Sequence, residues 1–322
     1  FWYIIMNIKI TGTGCSIPKK TELNSVFSNH LFYDASGTAI DNPNEIIIEK
    51  FKAITGIEKR RYIKDDETAA DIAIDAAKKT IEDSKVDKET INYIIVAHNV
   101  GDIALESNQV NTLPSLASKV KAGLKIQSPD CVAYDILFGC PGWIEGVIQA
   151  TAFIKSGMAK KCLVIGADTL SRVLDHSDRD SMIYADGAGA SLIEVSSEKG
   201  GILSHKTVTY TAEGEADFIF YGPANNKGKG TKYIKMHGRK VYEFALNKVP
   251  IALHTCLEAS GEDIKNVKKI FIHQANLKMD DAIIKRFFRL YKKPMPEDIL
   301  PMNIKEFGNS SVATVPTLFD LV

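Results

Sequence analysis

Short apolar runs typical of buried strands alternate along this chain with longer segments that have the apolar spacing of helices. Regular alternation of this kind is typical of an α/β protein with buried sheets. The sequence therefore predicts the α/β class. The predicted strands are residues 7–14, 94–97, 132–137, 162–166, 190–195 and 270–273, and the predicted helices are residues 69–84, 143–156 and 238–260.

Two stretches of the chain share the same order of sequence patterns. Residues 74–99 and 251–276 each contain a helical pattern, a short acidic loop, an apolar strand and a His near the end of that strand. Such an echo indicates a duplicated fold whose halves pack together, although any two helix-loop-strand passages look somewhat alike. The polar residues 196–200 are the predicted junction. They divide the chain into an N-terminal half, residues 6–197, and a C-terminal half, residues 198–322.

The charge balance argues against several classes of partner. The 322 residues contain 40 Lys and Arg against 40 Asp and Glu, so the formal net charge is zero. A neutral chain gives no global electrostatic reason to expect nucleic acid or an anionic membrane. No run approaches the roughly 18 apolar residues of a membrane helix, and the opening FWYIIM is too short for the core of a signal peptide. We expect a cytoplasmic protein without a nucleic-acid or membrane partner.

Of the five cysteines, Cys140 has an unusual setting. The five are widely spaced and contain no CxxC pair, so neither a disulfide framework nor a metal site is expected. In LFGCPGWIEGVIQATAFIKSG, residues 137–157, Pro141 suits the first turn of a helix. Cys140 would then lie at a helix N-terminus, where free N–H groups and the helix dipole stabilise a thiolate. The alternative is a buried structural thiol.

Two further polar residues complete a candidate catalytic set. His273 ends the apolar run of FIHQAN, and Asn309 lies in the Gly-Asn turn of FGNSSVATVP. A nucleophilic cysteine needs one partner that handles protons and one that orients or stabilises, and α/β sheets place such groups at the carboxyl ends of strands. Cys140, His273 and Asn309 are therefore the predicted catalytic residues. Papain-like proteases share this chain order, so a cysteine hydrolase is an alternative, although the CGSCW setting of that family is absent.

Several motifs occur in order over nearly the whole chain. They are GTGCSIP (12–18), TGIEKRRYI (55–63), the segment around Cys140, SGMAKKCLVIGADTLSRVLDHSDR (156–179), YADGAGA (184–190), HQAN (273–276) and FGNSSVATVP (307–316). In this combination the chain resembles the β-ketoacyl-acyl-carrier-protein synthase III family of the thiolase superfamily. The resemblance implies the thiolase-like duplicated αβαβα five-layered fold. It also implies that the C-terminal half is truncated at its end relative to that family.

The resemblance further implies a decarboxylative Claisen condensation of the kind that initiates fatty acid biosynthesis. Cys140 would take an acyl group from a thioester. His273 and Asn309 would then hold the malonyl thioester carbonyl and stabilise the enolate that forms when carbon dioxide departs. No cofactor is implied, because coenzyme A or carrier-protein thioesters are the substrates. A homodimer is expected by the same resemblance.

The resemblance also assigns binding roles. Arg172 matches an arginine that faces the coenzyme A nucleotide, and Lys278 takes the place of a basic residue near the pantetheine entrance. Leu113 stands where the family has a bulky aromatic residue that closes the acyl pocket. Lys285 and Arg286 belong to a basic segment where the family docks its acidic acyl carrier protein.

Departures from the family pattern keep other functions open. Lys50 or a neighbour replaces an adenine-stacking tryptophan, residues 101–111 look inserted, and FGCPGW is unlike the small-residue setting of housekeeping enzymes. Loss of the tryptophan weakens the case for coenzyme A as the acyl donor, whereas Leu113 and residues 101–111 favour an acyl group that is longer than acetyl or different from it. One alternative is therefore a specialised-metabolite ketosynthase III of the alkylresorcinol type. Another, from a different class, is a catalytically silent thiolase-fold binding protein.

Overall fold

The structure is a computed structural model that describes residues 7–107, 109–228 and 230–322. Its strands are β1 (Asn7–Ser16), β2 (Lys20–Leu23), β3 (Lys59–Tyr62), β4 (Tyr93–His98), β5 (Val132–Leu137), β6 (Lys161–Thr169), β7 (Asp186–Ser196), β8 (Ile219–Pro223) and β9 (Lys232–Met236). Its helices are α1 (Asn44–Thr55), α2 (Ala69–Ser84), α3 (Leu116–Gly123), α4 (Gly142–Lys155), α5 (Gly238–Ser260), α6 (Leu277–Leu290), α7 (Ile304–Phe307) and α8 (Thr314–Leu321).

One five-stranded sheet organises the N-terminal half, with the strand order β1-β7-β6-β4-β5. Strand β4 pairs in parallel with β5 and β6, whereas β7 runs antiparallel to β6 and β1. The predicted α/β class and the five strands predicted in this half are confirmed. The pairs β2–β3 and β8–β9 form separate two-stranded sheets.

Helices cover both faces of this sheet. Side chains on a strand alternate between faces, so Ile94 and Val96 of β4 pack in the core under α2 and α3, while Ile95 and Ala97 pack in the core under α4 and α8. All four side chains are fully buried. Burying one such large aliphatic side chain stabilises the fold by about 1.5–3 kcal/mol. The apolar runs at residues 94–97 and 162–166 are therefore strands that are enclosed on both sides.

Glycines in β6 and β7 let the segment of residues 307–316 lie directly on the sheet. A Cβ atom on Gly166 would lie 2.5 Å from the Val312 carbonyl oxygen, and one on Gly189 would lie 2.7 Å from the Thr317 backbone nitrogen. Any side chain at these two positions would push the segment away. The close contact fixes Asn309 and its neighbours beside the carboxyl end of β6.

The C-terminal half is built mainly from helices. Helices α5 and α6 pack around Leu246, Ile284 and Phe287, and the predicted helix at residues 238–260 is confirmed. The predicted strand Ile270–His273 is wrong, because no ladder pairs this segment among the described residues. Ile270 N donates to Ile299 O at 2.8 Å, but a strand needs a neighbour that pairs its N–H and C=O groups in succession. The division at residues 197 and 198 stays a prediction.

None of the helices within the described ranges is both long and apolar enough to cross a bilayer.

Candidate active site

Cys140 lies in the tight connection between β5 and α4. Strand β5 ends at Leu137, and α4 begins at Gly142 with Pro141 as its N-cap residue. Gly142 N donates to the Gly139 carbonyl oxygen at 2.8 Å, which closes the turn around the cysteine. The thiol is partly buried. The sulfur therefore sits beside the N-terminus of a helix, as the sequence predicted.

Ser311 contacts all three predicted catalytic residues. Its backbone N–H donates to Asn309 Oδ1 at 2.8 Å, and its hydroxyl donates to Cys140 Sγ at 3.5 Å. Its backbone also interacts with the His273 ring. The structure thus brings Cys140, His273 and Asn309 into one cluster. They are far apart in sequence, and the close packing of residues 307–316 on the sheet brings them together.

Cys140 and His273 shift each other's pKa in opposite directions. Burial raises the pKa of the Cys140 thiol, but the charge of His273 and hydrogen bonds from His273 and Ser311 outweigh it, so the pKa is lowered. Burial lowers the pKa of the His273 imidazole, but the charge and hydrogen bond of Cys140 outweigh it, so that pKa is raised. Each charged form stabilises the other. The pair favours thiolate and imidazolium, the form in which sulfur is nucleophilic.

Hydrogen bonds hold Asn309 at its backbone and at the oxygen of its side-chain amide. Its N–H donates to Ile183 O at 3.0 Å, and its carbonyl oxygen accepts from Ala185 N at 2.8 Å. Because Ser311 N donates to Oδ1, the amide is oriented with Nδ2 as its outward donor group. Asn309 is only 4% exposed. A fixed neutral donor is suited to stabilise a negative oxygen without a compensating charge of its own.

A cavity of about 350 Å³ leads to Asn309. Ligand sites commonly have volumes of about 300–1,000 Å³ and mostly apolar walls. Here the walls come from α1, from the start of α5, from the loop before β7 and from the HQAN segment, and they include Ile46, Phe51 and Tyr242. The charged residues that line it are Lys50, Arg179 and Asp180. The cavity is therefore shaped for an apolar chain with a polar group near its mouth.

The predicted binding residues lie elsewhere or at the surface. Arg172 lines a different cavity, and its Nη2 donates to the carbonyl oxygens of Lys64 and Glu67, so it secures the loop before α2. The arginine at the Asn309 cavity is Arg179, which the sequence analysis missed although it ends the quoted motif 156–179. Leu113 is 85% exposed and does not line that cavity. The coenzyme A role of Arg172 and the acyl-pocket role of Leu113 stay predictions.

Three of the predicted binding residues are exposed on α6. Lys278, whose role near the pantetheine entrance stays a prediction, faces solvent, and so do the predicted docking residues Lys285 and Arg286. Lys285 pairs with Asp281 at 2.7 Å, and Arg286 donates to the Leu246 carbonyl oxygen at 2.9 Å. Exposed pairs of this kind are weak. The face is accessible to an acidic partner, and the docking role stays a prediction.

Asp280 is a second residue that the sequence analysis missed. It is 0% exposed, and among the described residues neither carboxylate oxygen has a hydrogen-bond partner. The buried Nδ1 of His273 likewise finds no partner there. Burial raises the Asp280 pKa to about 7 against the opposing effect of the His273 charge. The position of Asp280 in the sequence could have identified it, because the residue falls in the apolar stripe of α6 together with Ile283, Ile284 and Phe287.

No group of three or more metal-binding side chains is gathered within the described parts of the chain. The arrangement found here is a cysteine thiol, an imidazole and a carboxamide in one cluster, with Asn309 lining an apolar cavity.

Sequence comparisons identify proteins to which this chain is similar. The model of the family described as 3-oxoacyl-[acyl-carrier-protein] synthase III matches residues 134–211. A β-ketoacyl-[acyl-carrier-protein] synthase III of Vibrio parahaemolyticus is 33% identical over 317 residues, which cover 98% of this chain and 90% of the relative. The enzyme of that name from Acholeplasma laidlawii is 34% identical, over 97% of this chain and 89% of the relative.

Solved structures agree in fold. The 3-oxoacyl-[acyl-carrier-protein] synthase III of Aquifex aeolicus superposes with a TM-score of 0.80 at 29% identity, over 97% of this chain and 89% of that one. Xanthomonas campestris OleA superposes with a TM-score of 0.75 at 17% identity, over 98% of this chain and 89% of that one, which shows a shared fold alone. The predicted thiolase-like fold is thereby confirmed. The chain belongs to the β-ketoacyl-acyl-carrier-protein synthase III family of condensing acyltransferases.

Proposed function

We propose that this enzyme condenses an acyl thioester with malonyl-acyl carrier protein to give a β-ketoacyl thioester, through an acyl group carried on Cys140. The observation that carries the proposal is the cluster of Cys140, His273 and Asn309 around Ser311, next to an apolar cavity. The cavity supplies the space for a thioester chain, and the three side chains supply a nucleophile, a proton carrier and an oxyanion donor.

The first half-reaction uses the charge pair. The Cys140 thiolate attacks the thioester carbonyl carbon, a new carbon-sulfur bond forms, and the donor thiol leaves with the proton of the His273 imidazolium. The raised pKa of His273 and the lowered pKa of Cys140 place both groups in the required forms. The acyl-enzyme then faces a neutral imidazole, whose remaining N–H is a hydrogen-bond donor.

The second half-reaction uses the two donors. The malonyl carboxylate departs as carbon dioxide, and its bonding electrons move onto the thioester oxygen as an enolate, which Asn309 Nδ2 and the His273 N–H stabilise. The enolate carbon attacks the acyl group, and the Cys140 carbon-sulfur bond breaks. Cys140 leaves as a thiolate, and one proton from solvent restores the imidazolium. No metal or cofactor takes part in the proposed reaction.

A homodimer is part of the proposal. Strand β5 is an edge strand of the sheet, and it carries Val132 at 47% and Leu137 at 76% exposure. Leu113 lies exposed as well. An unpaired edge with exposed apolar side chains is a template for pairing with another strand. We infer that β5 pairs with β5 of a second copy, and a Leu137→Lys substitution should yield monomers in analytical ultracentrifugation.

The carrier-protein partner is supported by the basic, solvent-facing side of α6, which carries Lys278, Lys285 and Arg286. An acidic carrier would meet complementary charge there. The cytoplasmic location stays a prediction from the sequence.

The acyl chain length separates two candidate functions. The specialised-metabolite alternative rests on two departures from the family pattern, namely residues 101–111, where Asp102 and Asn111 form an isolated bridge, and Leu113 in place of a bulky aromatic residue. A longer acyl donor is the common expectation of both features.

The test is intact mass spectrometry of the full chain with acyl-coenzyme A and acyl-carrier thioesters of increasing length. We expect a mass increase equal to the acyl group on the wild type and none on Cys140→Ser. Addition of malonyl-carrier protein should discharge the acyl group and yield a β-ketoacyl carrier. A long-chain optimum would favour the specialised pathway. Absence of an adduct with every donor would favour a silent binding protein, and peptide cleavage would favour a hydrolase.

A further inference from the structure

A buried polar pair next to the cluster takes no part in the steps above. Asp168, near the end of β6, is 0% exposed. Asn99, which follows β4, donates to it twice, from N to Oδ1 at 2.9 Å and from Nδ2 to Oδ2 at 2.6 Å. A two-point contact with a carboxylate fixes both the position and the rotation of the Asn99 amide.

The same amide reaches the nucleophile through one serine. Nδ2 carries two hydrogens, and it also donates to Ser311 Oγ at 2.7 Å. The Ser311 hydroxyl in turn donates to Cys140 Sγ at 3.5 Å, and it also lies within hydrogen-bond reach of the Asp168 carboxylate. A continuous chain of hydrogen bonds therefore runs from the Asp168 carboxylate to the sulfur.

The backbone at Ser311 is held in an uncommon conformation. Its φ angle is 53°, in the left-handed region, which costs a residue other than glycine roughly 1–3 kcal/mol. Strain of this size persists only where the surroundings impose it. At Ser311 the surroundings are the contacts to Asn309, His273, Asn99 and Cys140.

We propose that the Ser311 hydroxyl is a further catalytic residue that donates a hydrogen bond to the Cys140 thiolate, and that Asn99 and Asp168 are positioning residues that aim this donor. The proposal rests on the proposed function in taking Cys140 as the nucleophile. The bond is strongest whenever sulfur is negative, which is before acylation and again when Cys140 leaves after carbon-carbon bond formation. It therefore assists both steps.

The choice of test follows from the charges around the sulfur. The titratable groups that act on or face Cys140 are His273, Asp168 and Tyr184. The negative charge of Asp168 raises the Cys140 pKa, so Asp168→Asn would loosen Asn99 and remove a repulsive charge, with opposite effects. Ser311 and Asn99 carry no charge. Their substitution deletes no charged side chain; it removes or loosens the hydrogen bond to sulfur, together with the side-chain hydrogen bonds through which both residues lower the pKa of Asp168.

The experiment measures the alkylation of Cys140 by iodoacetamide from pH 5 to pH 10 by intact mass, with Cys140→Ser as the blank for the other thiols. A hydrogen bond to a charged group is worth about 1.5–3 kcal/mol, and 1.36 kcal/mol equals one pKa unit. Ser311→Ala should therefore raise the pH midpoint of Cys140 alkylation by at least about one unit. Asn99→Ala should move it in the same direction by less.

The matched control is Ser310→Ala. Ser310 is also buried, but its hydroxyl lies 3.4 Å from Thr314 Oγ1 and has no contact with the sulfur. The alkylation midpoint of Ser310→Ala should equal that of the wild type. A wild-type midpoint in Ser311→Ala, or an equal shift in Ser310→Ala, would overturn the proposal.

If Ser311→Ala fails to fold, the test uses Asn99→Ala instead. A wild-type alkylation midpoint in that variant would also overturn the proposal. Because alkylation needs no acyl donor, inactivity toward every thioester would contradict the proposed function without changing this result.

Discussion

The two halves of the chain contribute to the site in different ways. The N-terminal half places Cys140 at the joint between a strand and a helix of a sheet that is covered on both faces. The C-terminal half supplies His273, Asn309 and Ser311 from segments outside any strand, held by polar contacts. The first half thus provides a rigid position for sulfur. In the proposed reaction the second half sets the charge of the sulfur and stabilises the oxygen of the second substrate.

The largest expected effect comes from removing a donor of the C-terminal half. Asn309→Ala should lower the condensation rate about 100- to 1,000-fold, because one fixed donor to the enolate oxygen is lost. Acylation of Cys140 should change much less, since the enolate forms only in the second half-reaction. Rapid-quench measurement of acyl-enzyme formation and of product formation separates the two steps.

Asn266→Ala is the matched control for this prediction. Asn266 is an exposed loop residue whose amide donates to Glu262. The Asn266→Ala substitution should leave the acylation and condensation rates at the wild-type level. Equal loss of acylation and condensation in Asn309→Ala would mean that Asn309 supports the whole site and is not specific to the enolate.

A smaller effect follows from a contrast between two buried acids. Asp168 receives two hydrogen bonds from Asn99, whereas neither oxygen of Asp280 has a hydrogen-bond partner in the part of the chain that the structure describes. Burial raises the Asp280 pKa from 3.8 to about 7. The unfolded chain therefore loses this proton first as pH rises, so the contribution of Asp280 to stability falls between about pH 4 and pH 7 and stays low above that range.

Asp280→Asn should consequently raise the free energy of unfolding at pH 8, by about 2 kcal/mol on the scale of an unpaired buried charge, and by much less at pH 4. Urea unfolding at both pH values measures this difference. Asp281→Asn is the control, because Asp281 pairs with Lys285 at the surface and should change stability by no more than about 1 kcal/mol. Destabilisation by Asp280→Asn at pH 8 would show that the carboxylate makes a favourable contact in the folded state.

The smallest effect concerns partner binding on α6. The double substitution Lys285→Glu, Arg286→Glu should raise the KM for malonyl-carrier protein by about 5- to 10-fold at low salt, because like charges then meet across the interface. The difference should shrink at high salt, where exposed charges are screened.

The KM for an acyl-coenzyme A donor should not change in that variant, and Lys199→Glu, an exposed charge in the junction segment, should behave as the wild type. An unchanged KM for the carrier at low salt would place the docking surface elsewhere.

The difference between the halves also decides what could be predicted from sequence. The five strands of the large sheet and the helices α2 and α4 follow from apolar runs and helical spacing, because burial in the core leaves a strong pattern. Cys140, His273 and Asn309 were identified from their local settings and from the family motifs, and the structure brings them together around Ser311.

Sequence pattern fails where three-dimensional context decides. Residues 270–273 are apolar enough for a strand, but a strand also needs a paired neighbour. Arg172 and Arg179 lie in one motif, and only the fold shows which of them faces the Asn309 cavity. Asn99, Asp168 and Ser311 lie far apart in the chain, so their hydrogen bonds leave no local signal.

The most direct test of the relation between the halves is the thiol pKa of Cys140 in His273→Ala, measured by the pH dependence of alkylation in the full chain. Loss of the imidazolium removes the main interaction that opposes burial of the sulfur. The midpoint should rise by more than about one pH unit relative to the wild type. A midpoint that stays at the wild-type value would contradict the conclusion that the C-terminal half sets the charge of the nucleophile.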